Sequence, residues 1–151
     1  MEVRKHKIYW SCMAVVLFCI TSCNEVKQKQ TFYTAVKGKD TAFLRITAYE
    51  KRFYGTYEVY YGGRFMKDSG AVEGLISGDT LRGKFRYRSY GGSKVISPVI
   101  FLRSAGKLKQ GHGVVASYMG ISYFMPDSPI EFSDSFVFDS ITKNRKSEIG
   151  E

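Results

Sequence analysis

No cysteine follows Cys23 in this chain of 151 residues. Cys12, Cys19 and Cys23 crowd into its first segment, so the remainder can hold neither a disulfide nor a thiolate metal site. Proline occurs three times, and histidine only as His6 and His112. Acidic residues number 14 against 23 Lys and Arg, a formal net charge of +9. The apolar run "IYWSCMAVVLFCI", Ile8 to Ile20, falls short of the roughly 17–25 residues a membrane-spanning helix needs. No window of helical length after it shows a 3.6-residue period, and no Gly-rich phosphate loop precedes a helix. Membrane-helix bundles, disulfide scaffolds and nucleotide-binding α/β folds are thereby excluded.

The short apolar run has a basic flank, "MEVRKHK", and so reads as a secretory signal peptide in helical form. It ends in "ITSC", which resembles the bacterial lipobox: aliphatic Ile20, small Thr21 and Ser22, then Cys23. That resemblance implies a diacylglycerol on the Cys23 thiol, cleavage before it and acylation (palmitate) of the new amine. An ordinary signal peptide with a chance cysteine is the alternative. Cleavage would remove three of the 23 cations and one of the 14 acids, leaving +7. Each buried acyl CH₂ contributes about 0.8 kcal/mol, so two or three chains would hold the protein on a membrane. Asn24 is not the Asp that resembles an inner-membrane retention signal, and "NEVKQKQ" lacks an acidic export tether. The expected address is the cell envelope, the outer membrane before the inner, facing the periplasm.

The organisation expected is a signal peptide over 1–22, lipidated Cys23 with a polar tether over 23–30, one domain over 31–142 and a tail over 143–151. The domain reads as all-β. Runs rich in Tyr, Phe, Val, Ile and Thr are punctuated every ten residues or so by Gly, Asp and Ser. They are "TFYTAV", "AFLRITAYE", "FYGTYEVYY", "GAVEGLIS", "TLRGKFRYRS", "VISPVIFLRS", "KLKQGHGVVASY", "GISYFM" and "IEFSDSFVFDSI". Such spacing suits a meandering antiparallel barrel or a sandwich. A barrel of about eight strands is favoured because closure removes exposed edges. There is room for a short helix closing one end.

One hairpin can be read in register. A two-residue loop of Gly78 and Asp79, suited to a type II′ turn, pairs Ser77 with Thr80. Ile76 then faces Leu81, Gly74 faces Gly83 and Val72 faces Phe85, with Tyr87 on the same side. Leu75 with Arg82, Glu73 with Lys84 and Ala71 with Arg86 fall on the other, and a one-residue slip would destroy the sorting. The facing glycines are expected to leave a gap for a large side chain or a ligand. Tyr57, Val59 and Tyr61 supply further inward rings, although that strand carries rings on both faces. These ten inward residues are the candidate lining for a small apolar or glycan-like ligand, since eight-stranded barrels can hold one. Ordinary core packing is the alternative. Arg82, Lys84, Arg86 and Arg88 form a basic row on the outer side, read either as a solvated face or as a stripe that docks on anionic headgroups.

"FYGTYEVYY", "GAVEGLISGDTLRGKFRYRSYG", "SPVIFLRSAGKLKQGHG" and "FSDSFVFDS" resemble a group of small lipoproteins common in Bacteroidetes. The resemblance implies a lipocalin-like or calycin-like barrel and an envelope location, and implies no reaction. The basic "RGKFRYR" departs from the more acidic middle hairpin of that group.

No catalytic constellation emerges. His112, the one histidine after the leader, lies between two glycines as a turn residue would. Two Ser-x-x-Lys matches, at 104–107 and 140–143, fall on a hairpin turn and a strand end, where that motif's chemistry has no helix to start from. The acids Asp40, Glu50, Glu58, Asp68, Glu73, Asp79, Asp127, Glu131, Asp134 and Asp139 are scattered singly. Glu131 and Asp134, at an odd separation, would sit on opposite faces of a strand. The expected protein is therefore a binding module, with no cofactor, no metal and no nucleic acid. Its alternative partner is another envelope protein, and a cryptic enzyme ranks last.

Overall fold

The computed structural model describes residues 28–63 and 65–141; the leader, Cys23 and the tail beyond Ile141 lie outside them. Ten strands occur, and no helix among the described residues. They are β1 Lys29–Lys37, β2 Asp40–Tyr49, β3 Arg52–Tyr61, β4 Met66–Ser77, β5 Thr80–Arg88, β6 Lys94–Ser104, β7 Lys107–Gly111, β8 Val115–Tyr118, β9 Ile121–Phe124 and β10 Val137–Ile141. Strands β1 to β7 and β10 close an eight-stranded antiparallel barrel in the order β1-β2-β3-β4-β5-β6-β7-β10. β8 and β9 form a separate hairpin. The first strand takes in Lys29 and Gln30, which pair with Ala48 and Thr47 because β2 runs on to Tyr49.

The β4–β5 hairpin has the register its alternation dictates, from Ser77 with Thr80 to Ala71 with Arg86. Gly78 takes a positive φ of 55°, as the first loop position of a type II′ turn requires. Val72, Leu81 and Phe85 are buried, Ile76 and Tyr87 pack against them, and Arg82, Lys84, Arg86 and Arg88 are exposed. No gap is left on the inner side of Gly74 and Gly83. A Cβ on Gly74 would lie 2.2 Å from the Arg82 carbonyl oxygen, and one on Gly83 2.0 Å from that of Glu73. Backbone fills the space. The strands meet closely here, as at a tight barrel corner.

Two of the expected strands divide. "KLKQGHGVVASY" is β7 and β8, separated by His112, Gly113 and Val114. "IEFSDSFVFDSI" is strand only from Val137 to Ile141, and Asp134 turns at a φ of 49°. Glu131 and Asp134 therefore do not share a strand. Glu131 instead makes a single bridge with His112, which is a ladder position and not a free turn. Residues 112–136 form an excursion from the barrel wall, with β9 lying against β6.

That excursion carries no charge from Gly113 to Pro126. Ala116 pairs with Tyr123 and Tyr118 with Ile121, so these four share one face of the hairpin. Tyr118, Ile121 and Tyr123 are exposed, as is Met119 at the tip. The usual polar-out pattern of a half-solvated antiparallel sheet is inverted here.

Candidate functional site

The up-and-down topology gives the barrel two unlike ends. Lys29, the β2–β3, β4–β5 and β6–β7 turns and Ile141 lie at one end; the β1–β2, β3–β4 and β5–β6 turns and the excursion lie at the other. Toward the first end the interior is packed solid by Phe53, Leu44, Ile46, Val72, Leu81, Phe101, Leu108 and Phe138, all at most 3% exposed. Side chains fill this end, with no helix among the described residues.

Toward the second end a hollow of about 200 Å³ opens, lined by Tyr57, Val59, Tyr61, Asp68, Phe85, Tyr87, Ser97, Pro98, Val99, Gln110 and Phe136. The ten expected inward residues are thus split. Tyr57, Val59, Tyr61, Phe85 and Tyr87 line the hollow, whereas Val72, Gly74, Ile76, Leu81 and Gly83 do not. Alternation along β4 from Met66 onward places Asp68 on the inward series of Gly70 and Val72; reading that strand only from Gly70 hides it. Gln110 follows the same logic, two residues after buried Leu108.

The wall is incomplete beside the hollow. β6 pairs with β7 only from Ile100 to Ser104, so residues 94–99 have ladder partners on the β5 side alone. Pro98 sits in this edge, where a missing donor is tolerated. Gln110 and Phe136, which line the hollow, are the residues between which the excursion leaves and returns; the Phe136 carbonyl accepts from the Gln110 N–H.

Two phenols anchor the polar side of the hollow. Tyr57 donates to Gln110 Oε1 at 2.9 Å, and Tyr61 donates to Asp68 Oδ2 at 3.0 Å. The Tyr90 backbone N–H donates to Asp68 Oδ1 at 3.1 Å. Asp68 is only 8% exposed and makes no salt bridge among the described residues. Rings form the rest of the wall. Phe85 stacks on Tyr87 at 4.4 Å with planes 13° apart, and Tyr57 lies 4.8 Å from Phe85.

Burial raises the pKa of Tyr57 above the ordinary tyrosine value near 10, with the neighbouring Tyr61 adding to it and the Gln110 bond opposing it. Burial also raises that of Tyr61, reinforced by its bond to Asp68 and that carboxylate's charge. Both phenols therefore keep their protons as donors. A group whose folded pKa is raised stabilises fully below its unfolded pKa and loses that stability as pH rises toward the folded one. Stability from these two groups is expected to hold up to about pH 10 and fall above it. In a 295 nm titration Tyr57 and Tyr61 should ionise only on unfolding; a late step that survives undiminished in a Tyr57→Phe, Tyr61→Phe protein would contradict this assignment.

Outside the barrel the basic row joins other elements. A hollow of about 610 Å³ is lined by Arg52, Phe53, Tyr54, Glu73, Gly74, Leu75, Arg82, Gly83, Lys84 and Arg86. Glu73 faces Lys84 in register but pairs with Arg86, at 2.6 Å. Arg88 lies beyond this groove. No three His, Cys, Asp or Glu among the described residues come together as metal ligands. His112 Nε2 lies 3.6 Å from Glu131 Oε2, an exposed pair on the excursion.

Comparison with models of known families, with curated proteins and with solved structures finds no match to this chain.

Proposed function

We propose that this protein is a lipid-anchored envelope protein that binds a small ligand at the open end of its barrel and does not catalyse a reaction. The hollow ringed by Tyr57, Tyr61, Phe85 and Tyr87 carries this reading. It departs from the solid packing at the other end, and its polar groups converge from β3, β4 and β7. Its size, below the roughly 300–1,000 Å³ of drug-sized sites, restricts the ligand to a few heavy atoms. Native mass spectrometry of protein released gently from its own membrane tests the reading. A small molecule should ride with the wild type and be lost from Ser97→Phe, which fills the hollow. No bound molecule on the wild type, or the same one on both, overturns it.

The anchor is Cys23, outside the described residues. Only four residues lie between it and Gln28, a reach of at most about 18 Å of chain. The packed end would then sit against the membrane and the hollow would face away from it. Cys23→Ala is expected to abolish labelling by an acyl probe and to leave the protein unprocessed or soluble; a labelled, membrane-bound Cys23→Ala protein contradicts the anchor. The same geometry brings Arg52 and Arg82, near the packed end, to anionic headgroups, each worth about 1 kcal/mol. Reversing both to Glu should weaken low-salt binding to anionic vesicles. Wild-type protein that ignores such vesicles would leave the row a solvated face.

A second reading, docking of another envelope protein, is favoured by the apolar outer face of the β8–β9 hairpin. Cross-linking that traps a partner through Tyr118 and is lost on Tyr118→Lys would favour it over the first.

A further inference from the structure

We infer that the ligand of the open end is a small organic cation, an alkylammonium or quaternary ammonium group seated against the ring faces with Asp68 as its counter-charge. This deepens the proposed binding role and rests on it. The first observation is the charge of the lining. In a chain with 23 Lys and Arg, none of the eleven described residues that line the hollow is basic, and Asp68 is the charged one among them. An anion entering there would meet that carboxylate with no basic side chain among the described lining.

The second observation is what neutralises Asp68. A phenol and a backbone N–H donate to it, both uncharged, and no cation among the described residues pairs with it. A buried carboxylate is costly unless paired, and the pairing charge here has room to come from solution. The third is the ring content of the hollow that Asp68 lines. Tyr57, Phe85 and Tyr87 form a continuous run of rings, and Tyr61 lies edge-on to Tyr90 at 6.4 Å. Aromatic faces attract cations, and several converging on one volume recognise quaternary ammonium groups.

The fourth is the hydrogen-bond inventory. The Tyr57 and Tyr61 protons are committed to Gln110 and Asp68, so the phenol oxygens present lone pairs to the hollow. Lone pairs and a carboxylate suit a ligand that brings positive charge or N–H donors. The Gln110 amide N–H groups and the Ser97 hydroxyl can still donate, so it is the size of the hollow that excludes a sugar. Ser97 and Pro98, where β6 has no β7 ladder, form part of the lining.

Isothermal titration calorimetry on the purified protein, at constant ionic strength in potassium chloride, tests this with three probes. They are tetramethylammonium, choline and 3,3-dimethyl-1-butanol, the neutral isostere of choline. Choline and tetramethylammonium should bind, with the neutral isostere roughly tenfold weaker or worse. Asp68→Asn, which keeps the shape and can still accept from Tyr61, should weaken the cations by a similar factor while leaving the isostere unchanged. Tyr87→Leu provides a second variant, removing a ring face and leaving the carboxylate, and should also weaken the cations. Equal binding of choline and its isostere, or indifference of the cations to Asp68→Asn in a folded protein, overturns the cation and spares the binding role. Absence of binding by all three probes overturns the cation also, and the mass-spectrometric test then decides the binding role by itself.

Discussion

Phe101→Ala is expected to destabilise the barrel by about 3–5 kcal/mol, the range for deleting a large ring from a packed core. Phe101 is fully buried, with Tyr57 at 6.0 Å and Phe138 at 5.9 Å, both edge-to-face. Its removal costs transfer energy and also two ring contacts that no neighbour replaces. Phe85→Ala should cost less, because Phe85 lines the hollow and already lacks atoms on one side. Lys84→Ala, one residue along β5 and exposed, should stay within about 0.5 kcal/mol. Urea denaturation of the three variants gives the order directly. A Lys84→Ala loss equal to that of Phe85→Ala would mean that β5 presents the wrong face.

Gly83→Val is expected to cost about 3 kcal/mol, the upper end of overpacking effects, although valine favours strands. The new Cβ would meet the Glu73 carbonyl oxygen at 2.0 Å and Gly74 Cα at 2.8 Å. Both obstacles are backbone, so no side chain can swing aside. β4 and β5 must separate, and the ladder between them weakens. Gly91→Ala is the control, since its Cβ would meet only Ser89 Oγ at 3.8 Å. Equal unfolding midpoints for the two variants would contradict the close approach of the strands.

The β4–β5 hairpin was legible because its two faces differ in kind. Val72, Leu81 and Phe85 alternate with Glu73, Arg82, Lys84 and Arg86, and only one register sorts them. Closure of the barrel followed from the number and spacing of such strands. The excursion was not legible, because "FSDSFVF" keeps the even spacing of Phe132, Phe136 and Phe138 across a break in the strand. A Cβ on Gly111 would lie 2.8 Å from the Phe132 ring, which packs over the barrel's outer wall. Phe138 is buried inside. Period-two patterning cannot distinguish those two fates, since both bury a ring. The site was half legible. Inward parity identified Tyr57, Tyr61, Phe85 and Tyr87, but which end stays hollow depends on how side chains from eight strands fill a shared volume. Asp68 looked like one more scattered acid until the barrel brought it beside Tyr61 and Tyr90.

Binding inside the open end of the barrel is tested most directly by amide spectra of ¹⁵N-labelled protein titrated with tetramethylammonium at fixed ionic strength. Shift changes are expected at Tyr61, Asp68, Tyr87, Tyr90, Ser97 and Gln110, around the hollow, with Gly74, Ile76, Leu81 and Gly83 at the packed end unmoved. Changes confined to the outer groove of Tyr54, Leu75 and Arg82, with Asp68 and Gln110 silent, would contradict it.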